Sequence, residues 1–255
     1  MRSAFLLLAV AFALAGCDAA VESGPPAPST VRYLMWGPSN AAILGNQGDE
    51  ALNDTYAGTG RSADVRSTAT WGGRWLMPQG DDGTSCGDFS PRSEDECYDR
   101  AVTRSREEIA GAGLSYVVGG VVWHNGIDQN GIDSLYSQED YDAEFRALIR
   151  AAARDLPGVP FYVIEAGTNF TVELDDPPMT EHFRAREAAV CAAEPNCRVI
   201  SAMTEEVVDE ALTTCGTEPT CVHTHYFEKG EVHWQPRSVE IIMEEAGRTL
   251  ARIER

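Results

Sequence analysis

Short apolar runs alternate along this chain with longer segments whose apolar positions recur every three or four residues. The runs are Val31 to Trp36 (VRYLMW), Ser115 to Trp123 (SYVVGGVVW), Pro160 to Glu165 (PFYVIE) and Arg198 to Met203. They are rich in strand formers and near-continuous in hydrophobicity, the pattern of strands covered on both faces. Helical spacing appears from about Glu94 to Ala112, Gln138 to Leu156, His182 to Ala193, and Ser238 to Glu254. Strands alternating with helices predict βαβ units, a mostly parallel central sheet and a three-layer α/β/α sandwich. No internal repeat is visible. Residues 45–92 are rich in Gly, Asp, Ser and Thr, include Trp71 and Trp75, and read as long irregular loops. Such sheets place their sites beyond the carboxyl ends of the strands. The candidates for that edge are the Gly37–Asn40 turn, the His124–Asp128 turn and the histidines near the C-terminus.

The first residues follow a different pattern. Arg2 precedes an apolar run from Ala4 to Ala15, too short to span a bilayer but suited to a signal peptide. It ends in Leu14-Ala15-Gly16-Cys17, which resembles the lipobox of bacterial lipoproteins. The resemblance implies lipidation at Cys17 and anchoring in the bacterial cell envelope. Residues 18–30, with Pro25, Pro26 and Pro28, read as a flexible tether. Residues 31–255 then form one domain.

Composition narrows the partners. Twenty Lys and Arg stand against 40 Asp and Glu, a net charge of −20. That charge opposes nucleic acid and other anionic polymers. No apolar run is long enough for a membrane-spanning helix. With Cys17 set aside, Cys86, Cys97, Cys191, Cys197, Cys215 and Cys221 remain, an even set that suggests disulfides in an exported chain. Three local clips, 86–97, 191–197 and 215–221, are the simplest pairing. None has the spacing of a zinc knuckle.

Ser39 follows the first strand, where a serine opening a helix can present its hydroxyl and leave a backbone N–H for an oxyanion. Equally, it is a common helix N-cap. Asn125 follows Trp123 and is either an amide donor to developing charge or a turn former. A serine nucleophile needs a base, and His233 lies just before the last helix with Glu231 two residues earlier. In extended chain those two share a face, so the carboxylate can hold the imidazole tautomer. His225 is the alternative base. His223 and His225 form a His-x-His pair that would need a third ligand to hold zinc.

Several of these pieces resemble one family. Tyr33-Leu34-Met35-Trp36-Gly37-Pro38-Ser39-Asn40 is similar to the Gly-Gln-Ser-Asn nucleophile block of the SGNH hydrolases. The resemblance is to the sialate O-acetylesterase-like and acetylxylan esterase group, carbohydrate esterase family six. Gly120-Val121-Val122-Trp123-His124-Asn125-Gly126-Ile127-Asp128 resembles that group's second block, a helix with Tyr141, Leu148 and Arg150 resembles its flank, and Arg186-Glu187-Ala188 its Arg-Glu-Ala helix. Glu231-Val232-His233 resembles the acid–histidine pair. The chain departs from the pattern at Pro38 (Gln in the family), Asn125 (Gln), Ile127 (Glu, with Asp128 as substitute) and Glu231 (Asp, the other acid position being Gly230).

The resemblance implies a carboxylic ester hydrolase that removes O-acetyl groups from carbohydrates and needs no cofactor or metal. Ser39 would be the nucleophile, His233 the base and Glu231 the acid. The Ser39 N–H, Gly87 and Asn125 would form the oxyanion hole, with Gly73 as the other glycine. Trp71, Trp75 and Trp234 could stack on a sugar ring or pack internally. Ile127 and Glu231 keep a second reading open, a non-catalytic carbohydrate-binding or scaffold lipoprotein on the same fold.

Overall fold

A computed structural model describes residues 29–56, 59–71, 76, 88–92, 96–113, 115–125, 138–165, 180–202, 204–216, 218–226 and 233–255. Among these described residues, five strands form one parallel sheet: β1 (Thr30–Gly37), β2 (Ser62–Thr70), β3 (Tyr116–His124), β4 (Phe161–Ile164) and β5 (Cys197–Ser201). Their order is β2-β1-β3-β4-β5. Helices α1 (Ser39–Gln47) and α2 (Asp49–Tyr56) connect β1 to β2, and α3 (Cys97–Gly111) connects β2 to β3. Helix α4 (Gln138–Asp155) leads to β4 and α5 (Thr180–Ala193) to β5. Then come α6 (Thr204–Cys215), α7 (Pro219–His225) and α8 (Pro236–Ile253). The fold is a three-layer α/β/α sandwich.

Strand periodicity divides the core in two. Val31, Tyr33 and Met35 of β1, with Val122, Tyr162 and Ile200, face the layer of α1, α2, α6, α7 and α8. Leu34 and Trp36, with Val121, Trp123, Phe161 and Val163, face α3, α4 and α5. Successive side chains of a strand point to opposite faces, so a strand covered on both sides must be apolar throughout. That is why these strands read as continuous runs.

The stretch expected to be irregular loop differs from that reading. It contains α2 and the edge strand β2. Helix α2 buries only Leu52 and Tyr56, too few to make a pattern. Strand β2 carries Ser, Thr, Asp and Arg between its buried Ala63, Val65 and Ala69. An edge strand has solvent on one side and is held by backbone pairing to β1, which hydrophobicity does not register. At the other end of this pairing, β1 opens at Thr30, and the Ser29 carbonyl already accepts the Ser62 N–H at 2.8 Å.

Two of the expected disulfides are formed. Cys191–Cys197 ties the end of α5 to the start of β5, and Cys215–Cys221 ties α6 to α7. Cys97 is also disulfide-bonded; Cys86 lies outside the described residues, as do the signal segment, Cys17 and the tether to residue 28. Among the described residues no helix is long and apolar enough to cross a membrane.

Helix α8 presents Val239, Ile242, Met243, Ala246 and Leu250 to the core at helical spacing. It packs close to α2 because Gly247 has no side chain: a Cβ there would overlap Thr55 Oγ1 and the Leu52 carbonyl oxygen. Gly247→Val is expected to destabilise the fold by about 1–3 kcal/mol through overpacking, read as a lower urea midpoint. An unchanged midpoint would contradict this close approach.

Candidate active site

The strand order places a topological switch point between β1 and β3, whose flanking connections leave on opposite faces of the sheet. Strand β1 ends at Gly37 with φ of 136°, and a Cβ there would overlap the carbonyl oxygen of His124 at the end of β3. Only glycine allows that turn at that proximity. Pro38 is the N-cap of α1 and has no side-chain capping bond. Ser39 is therefore the first helical residue rather than the cap. Its N–H lies in the first turn, where amides lack intrahelical acceptors and favour negative charge.

The Ser39 hydroxyl meets His233. His233 Nε2 lies 2.9 Å from Ser39 Oγ, across 194 positions of sequence. Both side chains are half-buried. The segment carrying His233 is held from several sides. The Trp234 N–H donates to Asn40 Oδ1 at 3.0 Å, and the Gln235 N–H donates to the Tyr226 carbonyl at 3.0 Å. Ser238 Oγ donates to the same carbonyl at 2.6 Å. Arg237 pairs with Glu210 of α6, which also accepts from Tyr226 Oη.

Trp234 is 3% exposed. Its indole N–H donates to His124 Nε2 at 3.1 Å, and His124 Nδ1 lies 3.2 Å from the Ile164 carbonyl. An indole can only donate and a carbonyl can only accept. His124 must therefore be neutral, with its proton on Nδ1. It is fully buried, and burial pushes its pKa down to about 4, against the opposing pull of the Ile164 and Glu165 carbonyls.

On the far side of β3, Asn125 is buried just beyond the strand end. Its Nδ2 donates to Tyr141 Oη at 3.2 Å, and Tyr141 donates to Glu187 Oε1 at 2.6 Å. Burial first, and Glu187 beside it, hold the Tyr141 phenol well above its usual pKa, so it stays protonated. Because Tyr141 gives its proton to Glu187, it must accept from Asn125, which fixes which end of the amide faces it. Asn125 keeps a second N–H for other partners.

Of the residues singled out from sequence, Ser39, His233 and Asn125 lie at this carboxyl edge. His225 is exposed on α7, and it is His233 that reaches Ser39. Trp234 is core rather than a sugar platform. Trp71 is half-buried against Phe89, with the Arg104 guanidinium 5.1 Å over its ring. Glu231, Gly87, Gly73, Gly230, Ile127, Asp128 and Trp75 lie outside the described residues, as does the side chain of His223. No sequence pattern assigns a role to Asn40, His124, Tyr141 or Glu187. All four stand inside the quoted blocks, but only contacts between distant segments reveal what they hold.

Two outcomes follow from these contacts. Asn40→Ala leaves a buried N–H without its acceptor and is expected to cost about 1–3 kcal/mol in urea unfolding. The depressed pKa of His124 means that the unfolded chain binds a proton between about pH 6.5 and about 4 that the native state refuses. Stability should therefore fall by roughly 3 kcal/mol as pH drops through that window, and level off below it for this group. In His124→Gln that component of the urea midpoint's pH slope should vanish; an unchanged slope would contradict a neutral buried imidazole.

No family model matches the sequence, and no curated protein matches it. Solved structures share the fold. The lipase/acylhydrolase from Enterococcus faecalis is similar over 87% of this chain and 96% of its own, at 13% identity and a TM-score of 0.52. A GDSL-like lipase from Parabacteroides merdae is similar over 88% of this chain and 97% of its own, at 14% identity and a TM-score of 0.50. The likeness is one of fold: this chain and these two structures share the same overall architecture.

Proposed function

We propose that this chain is a serine ester hydrolase of the SGNH type that removes O-acetyl groups from carbohydrates. The observation that carries this reading is the 2.9 Å approach of His233 Nε2 to Ser39 Oγ at the carboxyl edge of the sheet. A hydroxyl at a helix N-terminus, paired with an imidazole from a distant segment, is an arrangement suited to acyl transfer through a serine. The fold likeness to lipase/acylhydrolases supports the same chemistry.

In this reading Ser39 Oγ bonds to the acetyl carbon while its proton passes to His233 Nε2. The oxyanion is met by the Ser39 N–H at the start of α1, the Asn125 amide and the backbone of Gly87. The carbon–oxygen bond to the sugar then breaks, and His233 returns the proton to the leaving oxygen. Water, deprotonated by the same imidazole, releases acetate and restores Ser39. Glu231 would hold the His233 tautomer. The charge of −20 favours neutral acetylated glycans over anionic polymers. Lipidation at Cys17 would keep the enzyme at the bacterial envelope, close to polymeric substrates.

The test is hydrolysis of p-nitrophenyl acetate by the full chain in detergent. Ser39→Ala and His233→Ala should each lower kcat by about 10³-fold or more with circular dichroism unchanged. Asn125→Ala should lower kcat by about 10²–10³-fold, the loss of one oxyanion donor. Turnover retained in folded Ser39→Ala would overturn the assignment. No turnover in the parent would favour a carbohydrate-binding module.

A further inference from the structure

His233 can serve Ser39 only if its backbone is fixed, because the two are joined by no local structure. The fixing comes through the next residue. Trp234 is bound at both ends: its N–H by Asn40 at the start of α1, and its indole by His124 at the end of β3. His124 is in turn oriented by the Ile164 carbonyl at the end of β4. The rings of Trp234 and His124 are also in contact, with centroids 6.2 Å apart. One chain of contacts thus ties the His233 segment to α1, β3 and β4.

A buried imidazole at this position needs a reason. An apolar side chain would fill the space without the desolvation cost of two ring nitrogens. Both nitrogens are bonded, however, and in opposite senses. The indole offers only a donor and the carbonyl only an acceptor. Of the ordinary side chains, a neutral imidazole or a primary amide presents an acceptor and a donor on opposite edges. Buried polar groups of this kind set register and orientation rather than adding net stability.

We propose that Trp234 and His124 are positioning residues for the base of the ester hydrolysis. The His124–Trp234 hydrogen bond sets the place of the His233 imidazole against Ser39. Its effect on turnover rests on the esterase reading above; its effect on the imidazole does not.

The experiment compares Trp234→Phe, His124→Leu and His124→Gln in the full chain. Trp234→Phe keeps an aromatic ring and removes one N–H. His124→Gln keeps an acceptor for the indole and a donor for the carbonyl. Two readouts are taken on protein shown to be folded: the 15N-correlated imidazole resonances of His233, and kcat and KM on p-nitrophenyl acetate. Trp234→Phe and His124→Leu should shift the His233 resonances toward those of a free imidazole. Each should lower kcat by roughly 10²-fold, the cost of a misplacement of about 1 Å, with KM within about twofold. His124→Gln should restore the parent's His233 resonances and hold kcat within about threefold.

Unmoved His233 resonances and unchanged kcat in Trp234→Phe would overturn the proposal and leave the pair as core packing. So would a loss in folded His124→Gln equal to that in His124→Leu. If His124→Leu does not fold, Trp234→Phe decides. If the parent hydrolyses no ester, the esterase reading falls. The His233 resonances then decide positioning alone: a shift in Trp234→Phe upholds it, and no shift overturns it.

Discussion

Strands β1 and β3 are adjacent and parallel, and their carboxyl ends come so close that Gly37 has no room for a side chain beside the His124 carbonyl. This steric limit organises what surrounds it. It makes the chain turn directly from β1 into α1, so Ser39 emerges at a helix N-terminus on the sheet edge. It also puts His124 and Asn125 next to that turn. The remaining requirement is to bring a segment from near residue 233 to the same edge, and the packing of α8 across the sheet delivers it.

Two buried polar systems then stand on either side of the β3 end. On one side His124 links Trp234 to the Ile164 carbonyl; on the other Tyr141 links Asn125 to Glu187. Each places donor against acceptor in one consistent direction. A satisfied buried hydrogen bond adds only about 1 kcal/mol net, whereas an orphaned buried group costs about 1–3 kcal/mol. Such networks are therefore poor sources of stability and strict selectors of geometry. Hydrophobic layers on both faces of the sheet supply the stability, and these polar contacts decide where the functional groups point.

Much of the fold was legible because the core strands are buried on both faces and the long helices on one. Strands β1, β3, β4 and β5 and helices α3, α4, α5 and α8 announce themselves through runs and periodicity. Helix α2 and strand β2 do not, since one buries two residues and the other depends on backbone pairing. Helix α7 is short, tied to α6 by the Cys215–Cys221 bond and capped by Glu218, and α6 buries only a few side chains such as Val207 and Ala211. For the site, the turn after β1 pointed to Ser39, and the resemblance of its flanks drew His233 and Asn125 into the same reading.

Local sequence pattern sufficed for the layering and for the nearness of the Ser39 turn to the sheet edge, while the Cys191–Cys197 and Cys215–Cys221 pairings, the simplest of those open to the cysteines, needed the fold to establish them. The layering and the turn follow from local rules: hydrophobic period and turn chemistry. Tertiary structure alone decided that His233, not His225, reaches Ser39, that Trp234 is core, and that His124 is held neutral between an indole and a carbonyl. Those outcomes depend on segments up to 194 positions apart meeting at the sheet edge, partly in buried surroundings. No local pattern records which donor finds which acceptor there; the packing of α8 and the ends of β3 and β4 does.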